Sequence, residues 1–172
     1  LATLDRDAAH AHEQALLGWV LDDLPQWGSV NVAERRAGLL QVCLSLEPNF
    51  AAYHAAWEFV LALHGGRIES LARAWGVALV NRESVRDLTR TEQVLATRGY
   101  ARDAARWMRE FARRYFAGAT AAIRAADPNH LVLGCRCGGP VGESVAAECV
   151  YPAVDVALAD WNELPQLAAG PV

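Results

Sequence analysis

Apolar and polar residues alternate along this chain with two different periods. Residues 16–22 form a short apolar run bounded by turn-forming residues, which is typical of a buried β-strand. From about Val32 to Leu63 the apolar positions recur at helical spacing, and Pro48 divides this stretch into two helices. The pair Gly65-Gly66 ends the second helix, and a short amphipathic helix that closes at Gly76 follows.

The longest predicted helix runs from about residue 101 to residue 126. Its apolar positions recur at steps of three and four residues, at Trp107, Phe111, Tyr115, Ala119 and Ala122. The arginines of this stretch occupy other faces, which is typical of a solvent-exposed surface. Asp127-Pro128 ends the helix, because the residue before a proline avoids helical backbone angles.

Two further strands are predicted near residues 131–136 and 154–160, with a short helix between them. A strand, a long helical crossover and two more strands predict an α/β fold with parallel strands. Parallel strands are buried on both faces, which accounts for continuous apolar runs such as the one that begins at Leu131. In such sheets and barrels, functional residues gather where the strands end.

The three predicted strand ends carry polar and aromatic side chains that suit a saccharide. Carboxylates transfer protons, Asp, Asn and Arg bind hydroxyl groups, and indole rings stack on the apolar face of a sugar ring. The candidate residues are Asp22, Asp23, Trp27, Arg136, Asp160, Trp161, Asn162 and Glu163. Residue types alone leave two alternatives open. Trp27 and Trp161 could pack beneath loops, and Asp22 and Asp23 could cap a helix that starts after Pro25.

Composition narrows the range of partners. The chain has 172 residues, 53% of them hydrophobic, and a formal net charge of −4, which is typical of a soluble globular protein. Its mildly acidic balance gives no reason to expect nucleic acid, because phosphate binding needs a clustered basic patch. The chain has no apolar run long enough to span a membrane. The opening segment is polar and lacks the pattern of a signal peptide, and a start at Leu1 suggests a processed chain or a fragment. These features do not distinguish a cytoplasmic from a secreted location.

The cysteines and histidines do not predict a metal site. Cys43, Cys135, Cys137 and Cys149 lack the spacing of zinc ligands and are expected to be reduced packing residues. The histidines show no metal-like spacing with acidic residues, so no metal and no cofactor are expected. His130 lies at the entry of a strand and is expected to tie a loop to neighbouring backbone.

Several segments resemble one enzyme family. The stretch LGWVLDDLPQWG resembles the fourth-strand segment of retaining (β/α)₈ glycoside hydrolases related to β-agarases and β-galactosidases. There a Gly-aromatic-x-x-Asp-Asn-Glu run is followed by Trp-Gly. The stretch DPNHLVLGCR is similar to that family's strand entry and strand, and it is the most specific of the matching pieces. FVLALHGGRIESLARAWG and YPAVDVALADWNELP are similar to further segments, so the resemblance covers nearly the whole chain.

Position by position, the resemblance implies a site that lacks its acid. Asp22 matches the aspartate of the motif, and Asp23 stands where the family has an asparagine that binds a sugar hydroxyl. Leu24 stands where the family has its general acid/base glutamate, and leucine has no proton to give. A one-residue shift would make Asp23 the acid, but neighbouring strand residues point to opposite sides. Glu163 is a second substitute acid, yet it would still lack a partner carboxylate.

The resemblance also implies an incomplete barrel. The family's nucleophile comes from a strand beyond the three predicted here, and a complete barrel takes roughly 250 residues. Residues 1–172 are therefore interpreted as a single incomplete barrel segment, corresponding to about strands four to six. The expected function is that of a fragment of a glycoside hydrolase that acts on β-linked galactose-type or agar-type glycans. Its partners would be a poly- or oligosaccharide and the remainder of the barrel, and it would be inactive alone. The alternative is a non-catalytic carbohydrate-binding relic of the same fold.

Overall fold

The chain forms two groups of elements, one mostly helical and one that contains short strands. The computed structural model describes residues 11–23, 38–89, 94, 97–136, 145 and 149–156, with 22, 23 and 136 described by their backbone. One compact unit comprises Gly28–Glu110, here called the helical unit. The other comprises Leu1–Trp27 with Phe111–Val172, here called the strand unit.

The described residues of the helical unit form four short helices and the start of a fifth. These are α1 (Leu39–Ser45), α2 (Ala51–Leu63), α3 (Ile68–Trp75) and α4 (Arg82–Leu88). The interruption at Pro48 is confirmed, since α1 ends before it and α2 begins after it. The predicted stops are also confirmed, because Gly65, Gly66 and Gly76 all have positive φ angles. The core of this unit contains Leu40, Leu44, Val60, Leu71, Trp75 and Val85.

Helix α4 was not predicted from the apolar pattern, and its start depends on a capping box. The Asn81 side chain accepts a hydrogen bond from the backbone N–H of Ser84 at 2.9 Å, and the Ser84 hydroxyl accepts one from the Asn81 N–H at 3.3 Å. These bonds satisfy donors that have no partner inside the helix. The sequence signal was therefore an Asn followed three residues later by Ser, rather than an apolar stripe.

Helix α5 (Arg98–Ala126) contributes to both units and ends at Asp127, as predicted. Its buried stripe differs from the predicted one beyond Trp107. The structure buries Ala112, Phe116 and Thr120 instead of Phe111, Tyr115 and Ala119. Both sets have four-residue spacing and lie side by side on the helix, so periodicity could not choose between them.

The part of the strand unit that the structure describes contains four two-residue strands in two parallel pairs. Strand β1 (Gly18–Trp19) pairs with β3 (Leu131–Val132), and β2 (Asp22–Asp23) pairs with β4 (Cys135–Arg136). The register is the same in both pairs. The predicted parallel pairing of the first two strand segments, across a helical crossover, is therefore confirmed. The chain is mostly helical, however, and the partial barrel stays a prediction.

The third predicted strand is partly described. Residues 154–156 form no regular strand, and 157–160 lie outside the described residues. The backbone N–H groups of Asp155 and Val156 nevertheless donate to the Val132 carbonyl at 2.9 and 3.3 Å. This segment therefore lies beside β3, on the edge opposite β1. In the part of the chain that the structure describes, none of the helices has the length and apolar character needed to cross a membrane.

Candidate functional site

The backbone brings three of the predicted site residues together. In the β2–β4 pair, Asp22 lies opposite Cys135 and Asp23 lies opposite Arg136. The Leu21 N–H donates to the Gly134 carbonyl at 2.8 Å, which connects this pair with the preceding one. Because the strands are parallel, Asp22, Asp23 and Arg136 lie toward the same, carboxyl end of the strands. That is the end where parallel α/β folds place ligands.

Gly18 permits the close approach that sets this register. A Cβ atom at position 18 would lie 2.3 Å from the carbonyl oxygen of Leu131. A side chain is therefore excluded while β1 and β3 stay paired. Between β3 and β4, Gly134 has φ +61°, and an added Cβ there would meet the Val156 carbonyl oxygen at 3.2 Å. Gly18, the glycine of the Gly-aromatic pair, thus allows the backbones of β1 and β3 to approach closely.

A network of hydrogen bonds holds the opposite, amino end of the same strands. The carboxylate of Asp127, only 2% exposed, accepts from the indole N–H of Trp19 at 2.7 Å and from His130 Nδ1 at 2.7 Å. It also accepts from the backbone N–H groups of Asn129 and His130, at 3.0 and 3.3 Å. Trp19 lies in β1, whereas Asp127 directly precedes β3. This network, here called the Asp127 cluster, therefore joins the two strands.

The N-terminal segment is attached to the same cluster. His130 Nε2 donates to the carbonyl oxygen of Glu13 at 3.0 Å, and the Asn129 side-chain amide donates to the carbonyl of Ala11 at 3.1 Å. The expectation that His130 ties a loop to neighbouring backbone is confirmed. His130 lies at the amino end of β3, away from Asp22 and Asp23.

Charge and hydrogen bonding shift the pKa values in the Asp127 cluster. Desolvation raises the pKa of Asp127, but hydrogen bonds from Trp19, Asn129 and His130 outweigh it and lower this pKa to about 2. The hydrogen bond to Asp127 raises the pKa of His130, partly opposed by desolvation and supported by the bond to Glu13. An ionised Asp127 facing a protonated His130 is the state that these contacts favour.

Asp155 attaches the third segment to β3 with its side chain as well as its backbone. Its Oδ2 accepts from the backbone N–H of Val132 at 2.8 Å, and its Oδ1 accepts from Arg124 at 2.7 Å. The hydrogen bond from Val132 lowers the pKa of Asp155. Desolvation opposes this shift, and the positive charge and hydrogen bond of Arg124 add to it. The carboxylate thus takes the place of a backbone carbonyl beside β3.

A second buried polar group lies within the helical unit. Asp103 is fully buried, and its Oδ2 accepts from Trp75 Nε1 at 2.8 Å and lies 2.7 Å from His64 Nε2. Its Oδ1 has no hydrogen-bond partner, although Arg102 Nε lies 3.7 Å away. Because its partners are Trp75 of α3 and His64 at the end of α2, we interpret Asp103 as a structural link between α2, α3 and α5.

The expectation of reduced cysteines is confirmed at three positions. Cys43, Cys135 and Cys149 are buried and carry thiols that are not joined in a disulfide, while Cys137 lies outside the described residues. Burial raises the pKa of the Cys43 thiol, and a hydrogen bond with Trp107 opposes this shift. Among the residues that can be described, no group of three or more His, Cys, Asp or Glu side chains is arranged to hold a metal ion.

Most of the predicted site residues lie outside the described part of the chain. This applies to Leu24, Trp27, Asp160, Trp161, Asn162 and Glu163. Asp22, Asp23 and Arg136 are placed by their backbone alone. Their roles in catalysis and sugar binding therefore stay predictions. Sequence reasoning did not find the Asp127 cluster as a whole, because its partners Trp19 and Asp127 are 108 residues apart.

Comparison with solved structures assigns the fold. The chain matches the crystal structure of an agarase with a TM-score of 0.68 and 20% sequence identity, over 96% of this chain and 25% of that one. It matches an exo-β-agarase with a TM-score of 0.72 and 20% identity, over 95% of this chain and 24% of that one. The chain thus spans about a quarter of the length of either enzyme.

These two likenesses show that the chain has the fold of a part of the two agarases. No protein-family model matches the sequence, and no curated protein matches it either. The resemblance to agarases noted from the sequence is confirmed at the level of the fold.

Proposed function

We propose that this chain is part of a glycoside-hydrolase barrel and contributes one wall of a cleft for agar-type, β-linked galactans. The parallel register that sets Asp23 opposite Arg136 carries this proposal. Arg136 would bind sugar hydroxyls together with Asp22 and Asp23, and Trp27 and Trp161 would stack on sugar rings. Asp160, Asn162 and Glu163 would extend the same wall from the third segment.

The likeness in fold supports the choice of substrate class. Both matched structures are agarases, and each is about four times as long as the matched segment. We infer that further strands complete the cleft and that they supply the nucleophile. In this proposal the 172 residues are one barrel segment, and its mechanism would be the retaining one of the family that it resembles.

Leu24 limits what this wall can do. A retaining mechanism needs two carboxyl groups roughly 5 Å apart, one of which protonates the leaving oxygen. In our alignment with the family motif, Leu24 occupies the position of that acid. The chain would then bind the glycan without cleaving it. It would then act as the non-catalytic carbohydrate-binding relic described above, unless Asp23 or Glu163 donates the proton.

Binding of an agarose-derived hexasaccharide to the longest natural polypeptide that contains this chain, measured by isothermal titration calorimetry, tests the proposed substrate class. We expect this ligand to bind and cellohexaose, which has the same number of sugar units but is a β-glucan, not to bind. Arg136→Ala should weaken binding by about 10- to 100-fold, since a hydrogen bond from a charged group contributes roughly 1.5–3 kcal/mol.

Arg73→Ala is the matched control, because Arg73 is exposed on α3 in the helical unit. The Arg73→Ala variant should bind the agarose-derived hexasaccharide with the affinity of the unmodified protein. Equal binding of both hexasaccharides, or equal affinity of both arginine variants, would contradict the proposal. Absence of binding would do so as well.

Substitution of Leu24 tests the missing acid. In the longest natural polypeptide that contains this chain, Leu24→Glu should raise hydrolysis of a chromogenic β-galactoside by about 10²–10⁴-fold, the contribution of a positioned general acid. Leu24→Gln has the same size but no acidic proton, and it should leave the rate unchanged. Equal hydrolysis rates for the Leu24→Glu and Leu24→Gln variants would show that position 24 is not that of the general acid.

A further inference from the structure

The two nitrogen atoms of the His130 ring both face acceptors. Nδ1 lies 2.7 Å from the Asp127 carboxylate, and Nε2 lies 3.0 Å from the carbonyl oxygen of Glu13. A carbonyl oxygen can only accept, and an ionised carboxylate can only accept. Both hydrogen bonds therefore exist together only when both ring nitrogens carry a proton, which is the imidazolium form.

His54 provides a contrast within the same chain. Its Nε2 lies 2.6 Å from the carbonyl oxygen of Pro48, whereas its Nδ1 lies 2.8 Å from Nη2 of Arg82. One partner is an acceptor and the other is a donor, so the neutral ring with a proton on Nε2 satisfies both. The two histidines thus have opposite requirements for the protonation of Nδ1.

Release of one proton would break one of the two connections of His130. The ring links Asp127, at the start of β3, to Glu13 in the segment that precedes β1. Two charged or titratable groups of the described residues act on this ring. The Asp127 carboxylate does so from its own loop and Glu13 from the N-terminal segment, and both favour the charged ring. The Trp19 indole of β1 donates to the Asp127 carboxylate and does not titrate.

We propose that protonated His130 is a pH-sensitive latch that holds residues 11–16 against the amino end of β3. When the ring is neutral it keeps only one of its two bonds, and the N-terminal segment opens more often. The bond of Asn129 to Ala11 then remains as a second tether. This inference concerns the amino end of the strands and does not depend on the proposed glycan site.

Nitrogen NMR of the full chain labelled with ¹⁵N in its histidine rings tests the protonation state directly. At pH 6.5, the ordinary midpoint of a histidine, both ring nitrogens of His130 should show predominantly the chemical shifts of protonated nitrogen, because its contacts raise its pKa. A single protonated nitrogen in most His130 rings at pH 6.5 would overturn the proposal.

Hydrogen exchange tests the opening of the segment. The Leu16 amide, which donates to Glu13 O at 3.1 Å, should lose protection as the pH rises through the titration of His130. The loss should be about tenfold for each unit by which the pKa of His130 differs between latched and open states. The exchange rates are corrected for their intrinsic dependence on pH.

Two variants separate the latch from a general effect of pH. His130→Gln should abolish this pH dependence, and His54→Gln should preserve it. Persistence of the dependence in His130→Gln would overturn the proposal. If that variant does not fold, the ring-nitrogen spectra of the unmodified chain still decide the question.

Discussion

The carboxylate of Asp127 accepts hydrogen bonds from β1 and from the loop that enters β3, although it is almost fully buried. Its pKa of about 2 lies below the ordinary value of 3.8. The folded state therefore favours the ionised form more strongly than the unfolded chain does. At the scale of single residues, this carboxylate links sequence positions that no local pattern connects.

Acid should remove the contribution of Asp127 to stability. A depressed pKa contributes stability above the unfolded-state value, and this contribution disappears as the pH falls from about 3.8 to about 2. Asp127→Asn should lower the urea midpoint of unfolding at pH 6. The difference in midpoint between this variant and the unmodified chain should become smaller as the pH approaches 2.

The measurement is urea unfolding followed by circular dichroism at several pH values. Asp87→Asn is the control, because Asp87 lies in α4 of the helical unit and outside the Asp127 cluster. If the difference in urea midpoint between Asp127→Asn and the unmodified chain stays constant from pH 6 to pH 2, ionised Asp127 does not stabilise the fold as described.

At the scale of secondary-structure elements, the paired strands depend on close backbone contact, whereas the long helix does not. Gly18 of β1 lies against the Leu131 carbonyl, where a Cβ would approach to 2.3 Å. Gly118 lies inside α5, and an added Cβ there would meet no atom within 4 Å. The same substitution should therefore have opposite effects in the two elements.

Gly18→Ala should destabilise the chain by about 1–3 kcal/mol, the usual cost of overpacking. Gly118→Ala should stabilise it by about 0.5–1 kcal/mol, because glycine is unfavourable inside a helix. Chemical denaturation of both variants measures these differences. Shifts of both midpoints in the same direction would contradict the strand register described here.

The sequence predicts element ends better than it predicts which face of an element is buried. Pro48, Gly76 and Asp127-Pro128 act locally on the backbone, and the helices end where these residues require. The buried stripe of α5 depends on which neighbours pack against it. Phe116 is buried in preference to Tyr115, although their spacing patterns are equivalent.

For the whole molecule, the sequence indicates which strand ends meet, and the agarase likeness assigns the fold. The contacts at the other end of the strands could not be predicted, because Trp19 and Asp127 meet only after the helical crossover brings β1 and β3 together. Likewise, the roles of Leu24 and Glu163 come from the resemblance to glycoside hydrolases alone.

Chemical-shift mapping of the ¹⁵N-labelled chain with an agarose-derived hexasaccharide tests the central proposal most directly. We expect the ligand to shift the backbone amide signals of Asp22, Asp23 and Arg136. The amides of Asn129 and His130, at the opposite end of the strands, should be unaffected. Shifts confined to that opposite end or to helices α1–α4, or no shifts at all, would contradict a saccharide cleft at the carboxyl ends of the strands.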